Sequence, residues 1–148
     1  MNDFALKCLD LFENIGEHKN MVLSTSLNEK VTSRMMSIVV IDGAFYFQTD
    51  CHFRKYKQIM SNPNVALCAD NLQIEGLCRE IGRPHDHSEF CALYQRHFST
   101  AYELYSGLES ERLFAVKPVY IQKWLYENGC PFVETFDFAN KFYRKKHC

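Results

Sequence analysis

No apolar run in this chain approaches the roughly 18 consecutive residues that a membrane-crossing helix needs, so no membrane association is expected. The opening stretch, MNDFALKCLDLFENIGEH, is charged throughout and lacks the continuous apolar segment of a secretory signal. The seven cysteines (Cys8, Cys51, Cys68, Cys78, Cys91, Cys130 and Cys148) are odd in number and contain no C-x-x-C pair. That pattern argues against a disulfide framework and fits a reducing, cytoplasmic setting. Glycine and proline number only six and four, with no Gly/Ser linker, low-complexity tract or internal repeat. The chain also has little net charge, −1 from 17 basic and 18 acidic residues. A broad electropositive footprint for nucleic acid is therefore absent. The one basic tail, residues 141–147, holds few charges and reads as a solvated terminus.

What is present is apolar and aromatic: 47% hydrophobic residues and 14% aromatic ones in 148. A chain of this length is expected to form a single domain, residues 1–148. It can bury about 68–70% of its unfolded surface, enough for a substantial core. Residues 3–16 show apolar positions at helical spacing (Phe4, Cys8, Leu11, Phe12, Ile15), closed by Gly16. Strands are predicted at residues 21–27, 31–41, 44–49, 64–69, 73–81 and 132–138. A further β-rich stretch at 112–126 is expected to be interrupted at Pro118. Asp42-Gly43 is a strong hairpin signal. A short helix over 53–61 ends at Asn62-Pro63, because the residue before proline avoids the helical region. Residues 86–105 read as a helix in two pieces, broken near Ser99-Thr100. Several short strands with few, peripheral helices predict a mainly β fold, an antiparallel barrel.

The densest chemistry lies in one run, TSRMMSIVVIDGAFYFQTDCHFRKYKQIMSNP. A two-residue turn at Asp42-Gly43 pairs Ile41 with Ala44. Counting outward then pairs Ile38 with Phe47, Ser37 with Gln48 and Met36 with Thr49, and brings Arg34 opposite the chain after Thr49. A bulge would move this register by one residue. The start of the following helix, with Arg54 and Lys55, joins them. A helix N-terminus offers unpaired N–H groups and the positive end of the dipole. Arg54 and Lys55 add charge-assisted donors, and Arg34 adds a planar fork suited to phosphate. Taken singly, each is more often a solvated charge. Gathered in one register, they describe a site for an anionic, phosphate-bearing cofactor.

The order RMMSIVVIDG, then YFQTD, then RKYKQI followed by NP and VAL resembles the pyridoxamine 5′-phosphate oxidase-like FMN-binding split-barrel family. The resemblance runs over residues 21–82 and resumes at 116–124. It implies a small antiparallel split β-barrel of Greek-key type and a homodimer with FMN at the interface. Arg34 looks like the family arginine near the FMN phosphate. Met35, Met36, Ser37, Ile38 and Val39 look like the strand beside the isoalloxazine ring. Gln48 and Thr49 look like the hydrogen-bonding pair, and Arg54 and Lys55 like the phosphate clamp. Gln73 is similar to a glutamine near the ring, and Trp124 to a tryptophan bordering the flavin. Val39 stands where pyridoxamine-phosphate oxidases carry a lysine for substrate phosphate, and no Arg-x-His follows Trp124. The FMN half of the resemblance is stronger than the substrate half.

These residues predict an FMN-dependent oxidoreductase passing electrons from a reduced nicotinamide to a small acceptor such as a quinone, a nitro compound or a flavin. The alternatives are a flavin-binding protein for storage or sensing, a pyridoxamine 5′-phosphate oxidase-related protein with an altered substrate site, or a scaffold holding haem or a deazaflavin. No catalytic residue is assigned. His85, His87, Cys91 and His97 do not have the spacing of a standard zinc site, and no metal is expected. Tyr94, Phe98, Tyr102 and Tyr105 form an aromatic stripe at helical spacing. Packing accounts for it best, with a wall of the flavin site as the sharper reading.

Overall fold

The computed structural model describes residues 3–148. Eight strands form one antiparallel sheet that closes on itself. They are β1 (His18–Leu27), β2 (Lys30–Ile41), β3 (Ala44–Asp50), β4 (Asn64–Ala69), β5 (Leu72–Glu80), β6 (Glu111–Glu127), β7 (Cys130–Asp137) and β8 (Phe142–His147). Neighbours run β3-β2-β1-β4-β5-β6-β7-β8, and β3 also pairs with β6. That last pairing closes β1 to β6 into a six-stranded barrel, leaving β7 and β8 as a flap on its wall. The mainly β reading of the sequence is met, and the barrel with peripheral helices is the observed architecture.

The Asp42-Gly43 turn that starts the closure has positive φ at both residues, +48° and +74°. This is the backbone that a two-residue hairpin between right-twisted strands requires. Side chains alternate across each strand, so Ile38, Phe45, Phe47, Phe114 and Val116 point inward to join Met21, Leu23, Leu67, Ile74 and Ile121 in the interior. Burying one such side chain contributes roughly 1.5–3 kcal/mol. A smaller core lies outside the wall, where Val39 and Leu113 meet Phe90 and Tyr94.

The helices are α1 (Asp3–Ile15), α2 (Arg54–Ser61) and α3 (Ser88–His97), with irregular helical turns at Ser99–Ala101 and Tyr102–Ser106. Leu11 and Ile15 of α1 are buried, and Phe12 lies against Phe45 with ring centres 5.7 Å apart. The break after α3 falls at Phe98, close to the predicted Ser99-Thr100.

Two sequence expectations are corrected. β6 is continuous through Pro118, because the proline sits at a bulge where Gly76 faces it and Val119 is the extra residue. A Cβ on Gly76 would stand 2.6 Å from Val116 Cγ1 and 2.8 Å from the Lys117 carbonyl oxygen, so glycine is required there. The basic tail is not a free terminus but β8, paired with β7 from Asp137↔Phe142 to Phe132↔His147. Its charges face solvent, which hid the strand from a reading based on hydrophobic alternation.

Candidate functional site

The hairpin opened at Asp42-Gly43 does not stay zipped. β2 and β3 pair at Ile41↔Ala44, Val40↔Phe45 and Val39↔Tyr46, and no further. The extrapolated pairs Ile38–Phe47, Ser37–Gln48 and Met36–Thr49 do not form. Beyond Val39, β2 remains with β1, whereas β3 continues with β6 down to Asp50↔Glu111. The barrel wall is split there, and the parted edge of β2 offers N–H and C=O groups with no ladder partner on that side.

A cavity of about 370 Å³ occupies the split. Met35, Met36 and Ser37 line it from β2, and Gln48, Thr49 and Asp50 from β3. Phe53 and Lys55 come from the start of α2, Tyr94 from α3, Ala101, Tyr105 and Leu108 from the segment after it, and Glu111 from β6. The predicted convergence of Met35, Met36, Ser37, Gln48, Thr49 and Lys55 is therefore present. It arises by strand separation rather than by the computed pairing.

Polar groups in the cavity are chained together. Ser106 Oγ donates to Gln48 Oε1 at 2.6 Å, and Gln48 Nε2 donates to Glu111 Oε2 at 2.7 Å. Glu111 is only 5% exposed. Burial pushes its carboxyl up to about 7; Gln48 and Lys55 oppose the rise and Asp50 adds to it. Thr49 Oγ1 is buried with no hydrogen-bond partner among the described residues. A buried hydroxyl left unpaired costs about 1–3 kcal/mol. Burial also raises the Tyr94 phenol, to about 12.

One end of the cavity is cationic. Lys55 lies partly buried in the first turn of α2, and burial, then the Arg34 charge, hold its ammonium below the usual lysine range. Arg34 is likewise lowered by burial and by Arg54. Among the described residues, none of Arg34, Arg54 and Lys55 has an acidic partner within salt-bridge distance. Cations at a helix N-terminus oppose the dipole, so this corner is electrostatically unfavourable until an anion enters.

The Arg34 fork, expected to grip phosphate, is already taken. Nη1 donates to Leu23 O (3.2 Å) and Thr25 Oγ1 (2.9 Å), and Nη2 to Thr32 Oγ1 (2.6 Å) and Gln58 Oε1 (3.3 Å). Arg34 contributes its charge from behind, and Lys55 is the cation that reaches the cavity. Ile38 and Val39 are fully buried in the two cores and contribute backbone only. Arg54 is exposed beside the mouth. Gln73 and Trp124 do not line the cavity. Gln73 lies exposed on β5 opposite Gln122, and Trp124 is exposed on β6, its backbone tied to Asn71.

Glu111, Ser106, Asp50, Phe53, Ala101 and Leu108 were not found from sequence. No local motif marks them: Asp50 and Phe53 follow closely after Gln48, whereas Glu111 reaches it only through the β3–β6 closure. Of the aromatic stripe, Tyr94 and Tyr105 line the cavity, while Phe98 and Tyr102 pack in the outer core. The histidines scatter: His87 Nε2 bonds the Ile81 carbonyl oxygen at 2.6 Å, and His97 stacks on His18 at 3.8 Å. His52 lies outside the cavity lining, bonded to Asp50 Oδ1 through both its backbone N–H and Nδ1. Asp50, Cys51 and His52 bring ligand-type atoms within 4.8 Å of one another. Asp50 is already engaged there by Ser110 and His52, and the adjacent cations oppose a metal.

Comparison with solved structures fixes the architecture. No family model matches the sequence, and no curated protein matches it. A pyridoxamine 5′-phosphate oxidase-related, FMN-binding protein from Nostoc punctiforme covers 100% of this chain and 97% of its own, at 13% identity and TM-score 0.62. The chain is a split barrel. PhzG from Burkholderia lata, solved with tetrahydrophenazine-1-carboxylic acid, aligns over 97% of this chain and 90% of its own, at 13% identity and TM-score 0.63. HutZ, the heme storage protein of Vibrio cholerae, aligns over 74% and 88%, at 16% identity and TM-score 0.61. At such identities the shared property is the split barrel itself. Among the described residues no helix is long and apolar enough to cross a membrane.

Proposed function

We propose that this split barrel binds FMN in the cavity between β2 and β3 and uses it as an oxidoreductase. The observation that carries the reading is the cationic corner. Arg34, Arg54 and Lys55 stand together with no ion pair among the described residues, Lys55 feeling only the more distant Glu111 carboxyl, beside a buried, unpartnered Thr49 hydroxyl and an open strand edge. A phosphate at the head of α2 relieves the charge. The β2 edge at Met35 to Ser37, with Gln48 and Thr49, offers donors and acceptors to a planar heterocycle, and Tyr94 and Tyr105 wall it. An FMN-binding protein and a heme storage protein share the fold; the uncompensated cations favour the phosphate-bearing ligand.

When bound, the flavin supplies reversible two-electron chemistry. The chain's part is to hold the phosphate, orient the ring and keep water from it. A reduced nicotinamide as donor and a quinone, nitro compound or flavin as acceptor follow as reaction partners. We further propose a homodimer, because Met35, Phe53, Leu104, Tyr105 and Leu108 leave apolar surface exposed around the cavity. A second copy also brings the Gln73 and Trp124 that one chain leaves outside.

The test is the visible absorption spectrum of purified protein before and after incubation with FMN and removal of the excess. Retained flavin absorbance, lost in Arg54→Glu/Lys55→Glu, supports the reading. A colourless wild type, or one that takes up haem instead, overturns it.

A further inference from the structure

The cavity holds a carboxyl group that phosphate binding does not require and that the reaction class does not by itself assign. Glu111 begins β6, and the strand's alternation turns its side chain outward with Leu113, toward Gln48 rather than into the barrel. One oxygen is fixed: Oε2 accepts from Gln48 Nε2, whose amide is oriented from its other end by Ser106. The other oxygen, Oε1, has no hydrogen-bond partner among the described residues and is not among the sealed, unsatisfied atoms; the residue itself lines the cavity. Lys55 approaches closely enough to be felt but forms no ion pair within 4.0 Å. Because the Gln48 N–H engages Oε2, the less engaged Oε1 is the favoured place for a proton on this carboxyl.

We propose that Glu111 is the proton-holding group of the cavity: its Oε1–H donates to an acceptor atom on the edge of the bound heterocycle, and ligand binding is linked to its protonation. The inference rests on the flavin reading above. The charged or titratable groups facing it are Asp50 on β3, Lys55 on α2 and Tyr94 on α3. Asp50 is engaged by Ser110 and His52, and burial keeps the Tyr94 phenol neutral well above pH 7. Glu111, whose carboxyl burial lifts to about 7, changes charge between pH 6 and 8, and the His52 imidazole, bonded to Asp50, lies outside the cavity lining. A glutamine there reproduces the neutral form, accepting from Gln48 and donating into the cavity, and never ionises.

The experiment has two readouts, comparing wild type with Glu111→Gln. Side-chain carboxyl ¹³C NMR of the ligand-free protein follows the Glu111 resonance, assigned by its absence in the variant; a midpoint near 7 is expected. FMN affinity is measured by fluorescence quenching from pH 5.5 to 9, so that titration of the FMN phosphate is common to both proteins. Above the midpoint, the wild-type Kd should rise relative to that of the variant by up to about tenfold per pH unit. Parallel Kd profiles, or a Glu111 midpoint in the ordinary carboxyl range, overturn the inference while leaving the flavin reading intact. A wild type that quenches no FMN at pH 6 removes both. Should the variant fail to fold, the Glu111 resonance is assigned through its bonded backbone nuclei instead, and the wild-type carboxyl titration decides whether Glu111 holds a proton at neutral pH.

Discussion

The same three strands build two unlike regions. Toward the barrel axis, β2, β3 and β6 present Ile38, Phe45, Phe47 and Phe114, all fully buried and apolar. Along the split they present Ser37, Gln48, Thr49, Asp50 and Glu111 to a cavity with lysine at one end and tyrosines on its wall. The interior is satisfied by the chain alone: Phe47 stacks on Phe114 at 5.3 Å, and the ladder is continuous behind them. The split is not satisfied. Among the described residues it keeps an unpartnered hydroxyl, cations that form no ion pair and a strand edge without a neighbour. One region carries stability and the other gives up some of it by leaving polar and charged groups unsatisfied.

Perturbing each region separately breaks or sharpens that contrast. Phe47→Ala should have the largest effect, costing about 3–5 kcal/mol by emptying the barrel beside Phe114. Urea denaturation reads this loss; a cost under about 1 kcal/mol would mean the interior is not the main source of stability. Arg54→Glu/Lys55→Glu should act in the opposite sense. FMN affinity should fall by about a hundredfold or more, since charge-assisted bonds contribute about 1.5–3 kcal/mol each. The melting temperature should hold or rise, because acidic groups suit a helix N-terminus and repulsion from Arg34 is relieved. A fall in melting temperature with unchanged affinity would make these residues structural.

Glu111 places a pH signature on the split alone. Its folded-state carboxyl titrates near 7, above the ordinary carboxyl range of the unfolded chain. Between those values the folded state binds the extra proton, so stability falls as pH rises toward 7 and levels off above it. Glu111→Gln removes this slope, and at pH 8 the variant should be more stable than wild type by about 3 kcal/mol. Denaturation midpoints at pH 5 and 8 measure it, and equal slopes in the two proteins would place Glu111 in a solvated setting.

The barrel was legible because its signals are local: Asp42-Gly43 demands a hairpin, and alternation fixes which face of each strand is inside. Arg34 to Ser37, Gln48, Thr49, Arg54 and Lys55 could be placed near one another because one hairpin and one helix connect them. Glu111 and Ser106 could not, since they lie some sixty residues from Gln48 in the chain and only barrel closure brings them to it. The acceptors of the Arg34 fork were hidden for the same reason, Thr25 and Gln58 coming from β1 and α2. β8 escaped notice because an exposed flap needs no apolar face. Pro118 misled because a bulge accommodates what an ideal ladder cannot.

Trp124 gives the mildest prediction and the one most specific to assembly. In a single chain it is 44% exposed and lies outside the cavity, so Trp124→Ala should shift monomer stability by no more than about 0.5 kcal/mol. If a second copy sets Trp124 against the flavin, the same substitution should weaken FMN binding several-fold, as losing an aromatic contact of about 0.5–1.5 kcal/mol implies. FMN affinity should then depend on protein concentration, weakening on dilution in step with dissociation seen by sedimentation. A monomer that binds FMN tightly, or a Trp124→Ala protein that binds it like wild type, would mean that one split barrel builds the whole site and that the exposed tryptophan serves another surface.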